Sequence, residues 1–496
     1  MRLVVVGNGM AGSRFVSEVR ARDPHLPITV FGAEARQPYN RVLLSSVLAG
    51  TAQPYQIGLV DPVWYGEHGV DARLGVAVTR IDRAAKVVVA ADGTLTPYDT
   101  LVLATGSSAV VPPMPGTRGG LPAGAMAFRT LDDCAGIVAA ADYARQAVVI
   151  GGGLLGIEAA RGLAGRGLTV TVLHLAGHLM ERQLDAAAGK VLARTLGRLG
   201  IGVRLEARVA ALRTVAGAGG ERVTGVELTG AGLTGADRAA EVMPADLVVL
   251  ACGVRPAVGL ARAAGLAVDR GVVVDETLRS ITDPAIRAIG ECAQYGDTVY
   301  GLVAPAWEQA AVLADLLTGA RPAARYAGSR MITRLKAAGV DLAAMGETHH
   351  GTHDEDVEVM QFADASRGTY KKVVIRGDRV VGAILLGETS AAGTLTQLYD
   401  RAAPLPSDRL GLLFPGLSAA PAAGSPVRMP DAAQVCTCNG VTKGQIRACW
   451  EAGARTVEAV RARTRATTGC GTCAGAVEGI VDWLTGQDPV GGQVGG

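Results

Sequence analysis

Cysteine is missing from the first 133 residues, and the whole chain holds only eight. That absence excludes disulfide stapling and thiol chemistry in the N-terminal region. Aromatic residues make up 4% of the sequence, and lysine occurs only at Lys86, Lys190, Lys336, Lys371, Lys372 and Lys443, so arginine carries most of the positive charge. The formal net charge of +2 over 496 residues gives no electrostatic footprint for nucleic acid or an anionic membrane. No apolar run approaches the roughly 18 residues that a membrane-spanning helix needs. The opening Met1-Arg-Leu-Val-Val-Val6 resembles a signal peptide only superficially, because it runs directly into Gly7 and cleavage would destroy the glycine-rich turn there. A cytoplasmic protein is expected.

Glycine is plentiful, at 67 residues, and 49% of the chain is hydrophobic, enough for proper cores in the three or four domains that about 500 residues imply. The spacing predicts a buried strand at 3–6, a helix at 11–22 and a strand at 28–31. The same grammar returns at 147–150, 154–165 and 169–173, which is the strand–helix–strand signature of parallel α/β sheets. From about 357 to 386 the pattern becomes antiparallel, with 373–375 and 380–386 flanking a hairpin turn at Arg376-Gly377-Asp378. Residues 402–430 have little periodicity and read as a linker. Beyond it lies a small helical unit, with Ile446, Cys449 and Trp450 on one helix face and Val477, Ile480, Val481 and Leu484 on another. The glycine-rich tail from Gln487 reads as loose.

Gly7-Asn-Gly9-Met10-Ala11-Gly12 follows the first strand and opens its helix. In such a motif the first glycine makes the turn, the second lets backbone approach a diphosphate and the third lets helix and strand pack closely. The diphosphate then sits at a helix N-terminus, where free N–H groups favour anions. Glu34, 22 residues after Gly12, ends the second strand where a carboxylate can accept from ribose hydroxyls. Gly151-Gly-Gly153-Leu154-Leu155-Gly156 repeats the arrangement, with Ala160 allowing close packing and His174 standing where the ribose acid would be. Without that acid the choice between NADH and NADPH stays open, and a histidine tolerates a 2′-phosphate.

Two such sites in one chain resemble the two-dinucleotide, disulfide-reductase-like flavoproteins, which implies FAD in the first and NAD(P)H in the second. The connecting motifs agree with the resemblance. Tyr98-Asp-Thr-Leu-Val-Leu-Ala-Thr105-Gly106 is similar to the strand leaving the FAD domain, and the run from Asp246 through Cys252-Gly253 to Pro256 to the return strand. Ile286-Arg-Ala-Ile-Gly290-Glu291-Cys292 resembles the motif whose acid holds the flavin ribityl chain, and the helix start near Ala304-Pro305 would point at the flavin ring. Arg41 and Arg129 read either as partners of FAD phosphates or as solvated charges. Tyr39-Asn-Arg41-Val-Leu-Leu-Ser45-Ser46 holds no redox cysteine, so dithiol chemistry at the flavin is excluded. The stretch resembles the ferredoxin- and rubredoxin-reductase branch and, more closely, the flavoprotein part of NAD(P)H nitrite reductases. Ferredoxin-reductase relatives often carry lysine at the position of Ser46, paired with an acid matching Glu158. Glu158 therefore reads as orienting the nicotinamide or, equally, as an early helix carboxylate favoured by the dipole.

Cys436-Thr-Cys438 and Cys470-Gly-Thr-Cys473, separated by 31 residues, place four thiolates on two tight loops. That suits a 2Fe–2S cluster, with structural zinc as the alternative from spacing alone. The runs around these cysteines resemble the bacterioferritin-associated ferredoxin family, which points to iron. Cys134, Cys252, Cys292 and Cys449 are scattered, and Cys449 reads as packing. The run His349-His350-Gly-Thr-His353-Asp-Glu-Asp reads as a solvated loop to which no metal is assigned.

The expected architecture is therefore α/β. Two Rossmann-like domains (FAD: 1–115 and 246–325; NAD(P): 116–245) precede an α+β interface domain (326–402), a linker (403–432), a small helical 2Fe–2S domain (433–485) and a loose tail (486–496). This layout resembles the NAD(P)H nitrite reductase large subunit and the electron-transfer subunit of assimilatory nitrate reductase. It implies a reductase that collects electrons for a separate molybdenum nitrate reductase or sirohaem nitrite reductase, since no C-x-x-x-C run of a sirohaem domain is present. A free-standing NAD(P)H oxidase and a bacterioferritin-docking iron-release partner are the rival readings, and a homodimer is one assembly open to it.

Overall fold

Leu3–Val6 is four aliphatic residues in succession, a run that suits a strand buried on both faces. It becomes the centre of a five-stranded parallel sheet ordered Ile286–Ala288, Thr100–Leu103, Leu3–Val6, Ile28–Gly32, Val70–Leu74 in a computed structural model. Described are residues 1–217, 220–229, 241–337, 339–415, 429–436, 439–467 and 473–487. They divide into two units, 1–176 with 200–331, and 177–199 with 332–496.

In the first unit a second parallel sheet repeats the design, ordered Ile201–Arg204, Thr169–Leu173, Gln146–Ile150, Leu247–Leu250, Ala125–Ala127. Helix Met10–Arg22 joins Leu3–Val6 to Ile28–Gly32, and helix Leu154–Gly165 joins Gln146–Ile150 to Thr169–Leu173, both within a residue of their expected bounds. Arg20 and Arg22 in the last turn of Met10–Arg22 suit the negative end of its dipole. Short strands Ser107–Ala109 and Val254–Pro256 pair antiparallel where the chain leaves the first sheet's domain and returns to it. The helix Leu44–Leu48 packs on Leu154–Gly165, and Gly162 keeps that contact close: a Cβ there would touch Leu48 Cγ at 3.3 Å. The large core under the first sheet buries Val5, Phe15, Val16 and Phe31, each worth about 1.5–3 kcal/mol of transfer free energy.

The second unit holds a five-stranded antiparallel sheet ordered Ile332–Ala337, Val340–Gly346, Arg379–Leu386, Thr369–Arg376, Glu358–Asp364, covered by helix Ala392–Arg401. The expected hairpin turns at Gly377, whose φ of +62° suits glycine, with Arg376 paired to Arg379. At two expected boundaries the packing adds detail. Residues 177–199 group with this unit and not with the second nucleotide domain. The physical tie is Asp185, which caps helix Ala186–Arg198 and also accepts from buried Lys372 Nζ (2.7 Å) and from the Tyr370 hydroxyl (2.6 Å). The supposed linker begins as packed chain: Leu412 and Leu413 are buried in the sheet core, and Lys371 Nζ donates to the Leu413 carbonyl (2.6 Å) beneath the Phe414 ring. The sheet domain therefore extends to Phe414; residues 416–428 lie outside the described part.

In the small C-terminal domain, strands Gln434–Cys436 and Val441–Thr442 precede helices Lys443–Glu451, Val457–Thr464 and Ala474–Gln487. Their core contains Ile446, Trp450, Val460, Val477, Ile480, Val481 and Leu484, with Cys449 partly buried against it, so both apolar helix faces read from the sequence are used. The last helix runs to Gln487, slightly beyond the expected 485. Among the described residues no helix is long and apolar enough to cross a membrane.

Candidate functional site

Each glycine-rich turn divides into glycines required by the fold and one left for a ligand. Gly7 has φ +112°, and a Cβ there would lie 2.1 Å from the Ala104 carbonyl oxygen; on Gly12 a Cβ would lie 1.9 Å from the Gly7 oxygen. The second motif repeats this, at 2.2 Å from the Ala251 oxygen for Gly151 and 1.9 Å from the Gly151 oxygen for Gly156. Gly9 and Gly153 differ. Among the described residues, a Cβ on Gly153 meets nothing within 4 Å, and one on Gly9 meets only Arg41 Nε at 4.0 Å. They form open cradles at the N-termini of Met10–Arg22 and Leu154–Gly165, whose first N–H groups, including those of Met10, Ala11, Leu154 and Leu155, lack intrahelical partners.

The groups around the first cradle are brought together and paired. The Arg41 guanidinium bonds to Glu34, lies 5.0 Å from the centre of the Tyr39 ring and donates to the Arg129 carbonyl (3.3 Å), while the Tyr39 hydroxyl donates to Glu34 (2.7 Å). Arg129 is ion-paired with Glu291, which also accepts from Ser107 Oγ (2.6 Å). Arg41 and Arg129 are thus half-buried and paired, not solvated surface charges. Thr105 Oγ1 donates to the Ala257 carbonyl (2.7 Å), and the Gly106 carbonyl accepts from Ala257 N–H (2.9 Å), locking the departing strand to the returning one. Gly253, at φ +92°, sits on the return.

Gly290 marks where two helix N-termini converge. A Cβ there would lie 2.8 Å from Ala11 Cβ and 3.9 Å from Ala306 Cβ, and its N–H donates to Gln309 Oε1 (2.7 Å). Ala304 lies in the first turn of helix Val303–Thr318. Among the described residues, buried Asn8 Nδ2 in the first glycine turn, Ser45 Oγ on helix Leu44–Leu48 and Trp307 Nε1 on helix Val303–Thr318 have no protein partner. Orphaned buried donors are rare in folded proteins and fit a polar ligand supplied from outside the chain. Asn8 is further fixed by the Tyr65 hydroxyl, which donates to its Oδ1 (2.5 Å). Sequence reasoning missed Asn8, Tyr65, Ser107 and Gln309. Only Asn8, inside the glycine motif, carried a signal.

In the second motif Glu158 is buried on helix Leu154–Gly165. The His174 ring is buried and its Nδ1 accepts the Gly152 N–H (3.0 Å), bracing the glycine turn. Cys134, Cys252 and Cys292 are poor thiolates. Burial pushes Cys134 and Cys252 each up to about 11, and pushes Cys292 upward as well. Replacing Cys134, Cys252, Cys292 and Cys449 together is expected to leave NAD(P)H-driven dye reduction largely intact. Alanine is the better replacement, since a serine hydroxyl buried without a partner costs about 1–3 kcal/mol. Near-complete loss of activity at normal flavin content would reveal a redox thiol among them.

Cys436 and Cys473 are buried in one core cluster of the small domain, whereas Cys438 and Cys470 lie outside the described residues. Both described sulfurs accept N–H donors, from Asn439 Nδ2 (3.8 Å) and from the Thr467 backbone (3.2 Å). Donors aimed at sulfur suit thiolates that carry a metal cluster. Cys473 immediately precedes helix Ala474–Gln487, and its carbonyl accepts the Val477 N–H (2.8 Å). His350 is bound on both ring nitrogens, by Glu347 (2.9 Å) and Asp354 (2.8 Å), and Glu347 also pairs with Arg376. These groups raise the His350 pKa, as carboxylates beside an imidazole must.

Comparison with known proteins agrees with this geometry. Residues 332–402 match the rubredoxin NAD+ reductase C-terminal domain, and residues 434–483 the BFD-like 2Fe-2S binding domain. A nitrite reductase (NAD(P)H) of Bacillus subtilis is 38% identical over 98% of this chain and 58% of its own length. The assimilatory nitrate reductase electron transfer subunit of the same organism is 36% identical over 98% of this chain and 60% of its own length. The chain thus spans about three-fifths of these two relatives. Among solved structures, the covalent putidaredoxin reductase–putidaredoxin complex superposes with a TM-score of 0.71 at 26% identity, covering 81% of this chain and 94% of that one. Two glycine cradles on parallel sheets, joined by a departing and a returning strand, are the architecture of the family matched by residues 1–310, and the chain belongs to the pyridine nucleotide-disulphide oxidoreductases, which use FAD and NAD(P)H.

Proposed function

We propose that this chain collects electrons for nitrate or nitrite assimilation, taking them from NAD(P)H and passing them through FAD and a 2Fe–2S cluster to a molybdenum nitrate reductase or a sirohaem nitrite reductase on a separate subunit. The observation that carries this reading is the order of the three domain matches along one chain, an order shared over 98% of its length with a relative named as an assimilatory nitrate reductase electron transfer subunit. FAD suits the task because flavin accepts two electrons together and releases them singly.

The residues divide the work as follows. Gly7, Gly9 and Gly12, with the N–H groups of Met10 and Ala11, hold the FAD diphosphate. Arg41, already bordering the Gly9 cradle, turns from Glu34 to the phosphates and frees the carboxylate for ribose hydroxyls. Ser45, Thr105, Gly106, Arg129, Gly253, Gly290 and Glu291 line the rest of the flavin site, and the positive end of helix Val303–Thr318 at Ala304 favours negative charge on the ring. Gly151, Gly153, Leu154, Leu155 and Gly156 hold the nicotinamide nucleotide's diphosphate, with His174 bracing their turn and Glu158 orienting the nicotinamide. Cys436, Cys438, Cys470 and Cys473 ligate the cluster.

Protein purified anaerobically is expected to contain one FAD and two irons per chain, as a single 2Fe–2S cluster requires. It should support nitrate or nitrite reduction with NAD(P)H when mixed with the catalytic partner. Turnover with oxygen as fast as with the partner would replace this reading by an oxidase, and stoichiometric zinc would remove the cluster.

A further inference from the structure

In the small domain one side chain ties the first cysteine-bearing strand to the end of the helix that precedes the second cysteine pair. Asn439 stands directly after the first cysteine pair, and its Nδ2 donates both to Cys436 Sγ (3.8 Å) and to the carbonyl of Arg465 (2.6 Å). Arg465 ends helix Val457–Thr464 and leads into the second cysteine pair. Two residues later, the Thr467 N–H donates to Cys473 Sγ (3.2 Å). This presentation requires left-handed backbone at two non-glycine residues, Arg465 (φ +62°) and Thr467 (φ +67°). Such a conformation is strained for a residue with a side chain and persists only where its surroundings hold it. The Asn439 amide, bonded to the carbonyl of the first of them, is one of the groups that hold it.

The same amide proton pair bears on the electronic state of a cluster. N–H donors to a ligating sulfur withdraw negative charge from it, and reduction adds an electron to the cluster, so such donors favour the reduced form. The Thr467 donor belongs to the backbone. The Asn439 donor is a side chain, and aspartate has the same shape with an acceptor in its place.

We propose that Asn439 is a positioning residue for the 2Fe–2S cluster: it ties Cys436 to the end of helix Val457–Thr464 and, through its bond to the Cys436 sulfur, raises the cluster's midpoint potential. This rests on the 2Fe–2S reading of the domain. It predicts a graded response in which the donor, not the bulk of the side chain, decides the potential.

The test uses the full chain carrying Asn439→Ala or Asn439→Asp, purified anaerobically, with flavin content as the check on folding. Iron per chain, the cluster's paramagnetic spectrum after reduction, and the midpoint from a redox titration are read. Iron is expected to be retained in Asn439→Ala with the midpoint shifted negative, and to shift further or be lost in Asn439→Asp. A wild-type iron content and midpoint in Asn439→Asp would overturn the proposal, because shape alone would then suffice. If both variants lose iron, Asn439→Gln decides: regained iron supports an amide clip, and iron still absent overturns it. Zinc in place of iron in the unsubstituted chain would overturn the domain reading and this inference with it, whereas an intact cluster indifferent to the substitutions overturns this inference alone.

Discussion

A chain ending at Pro415 is expected to bind FAD, to bleach with NAD(P)H and to reduce small dyes, yet to drive the nitrate- or nitrite-reducing partner at a rate lower by on the order of 100-fold or more. Hydride transfer needs only the nicotinamide held a few ångströms from the flavin, and every residue assigned to that task lies before residue 310. Onward transfer is assigned to the cluster domain, which covalent linkage keeps at the millimolar effective concentration typical of short tethers; without it the flavin must meet the partner by free encounter. The end point matters. Ending the chain near Arg401 would strip buried Leu412 and Leu413 from the sheet core, and each buried leucine contributes about 1.5–3 kcal/mol. Stopping at Pro415 keeps them, along with Phe414 against Lys371. Cys470→Ser in the full chain should act in the same direction, since three thiolates hold a cluster poorly. Full-rate delivery by the shortened chain would take the cluster domain off the electron path and leave it a docking or regulatory role, which would favour the bacterioferritin-partner reading.

What the sequence made legible follows the physics of short range. Strands such as Leu3–Val6 and Gln146–Ile150 are buried on both faces and must be continuously apolar, so their runs announce them. Gly7, Gly12, Gly151 and Gly156 stand at close backbone approaches that any side chain would violate. Long-range pairing left no such trace. Lys371 and Lys372 look like solvent-facing breaks in an apolar strand, yet both are buried, because Glu388 and Asp185 neutralise them from opposite faces of the sheet. Asp185 lies 187 residues from Lys372, and no periodicity links them. The packed start of the linker left no trace for a related reason: 403–414 has little periodicity, and the 3-10 turn at Leu410–Leu412 leaves Leu410 exposed while burying Leu412 and, just after it, Leu413, with no repeat to betray them. His174 shows the limit within a motif. Its position marks the end of the second strand, but its bond to Gly152 depends on how the ring turns.

Gly153→Ala is expected to raise the KM for NAD(P)H by on the order of 10–100-fold, about 1.4–2.7 kcal/mol of lost binding, while flavin content and thermal stability stay near those of the unsubstituted chain. The backbone at Gly153 is extended, with φ −80° and ψ −177°, a conformation any residue adopts, and among the described residues the added methyl meets no protein atom within 4 Å. The folded chain therefore tolerates it. The methyl instead fills the cradle at the helix N-terminus, where the diphosphate must approach the backbone N–H groups. Gly156→Ala provides the contrast. Its Cβ would lie 1.9 Å from the Gly151 oxygen, so helix and strand must separate by about 1.5 Å to reach ordinary contact, and stability should fall by about 4 kcal/mol or more together with nucleotide binding. Measuring KM and melting temperature on both variants separates the two roles. An unchanged KM in Gly153→Ala would mean that the diphosphate binds elsewhere. Equal loss of stability in both would mean that the Gly153 position is closed by the fold and is no cradle. The same logic applied to the first motif expects Gly9→Ala to yield folded protein that has lost its FAD, because among the described residues Arg41 Nε at 4.0 Å is the sole neighbour such a methyl would meet before the ligand arrives.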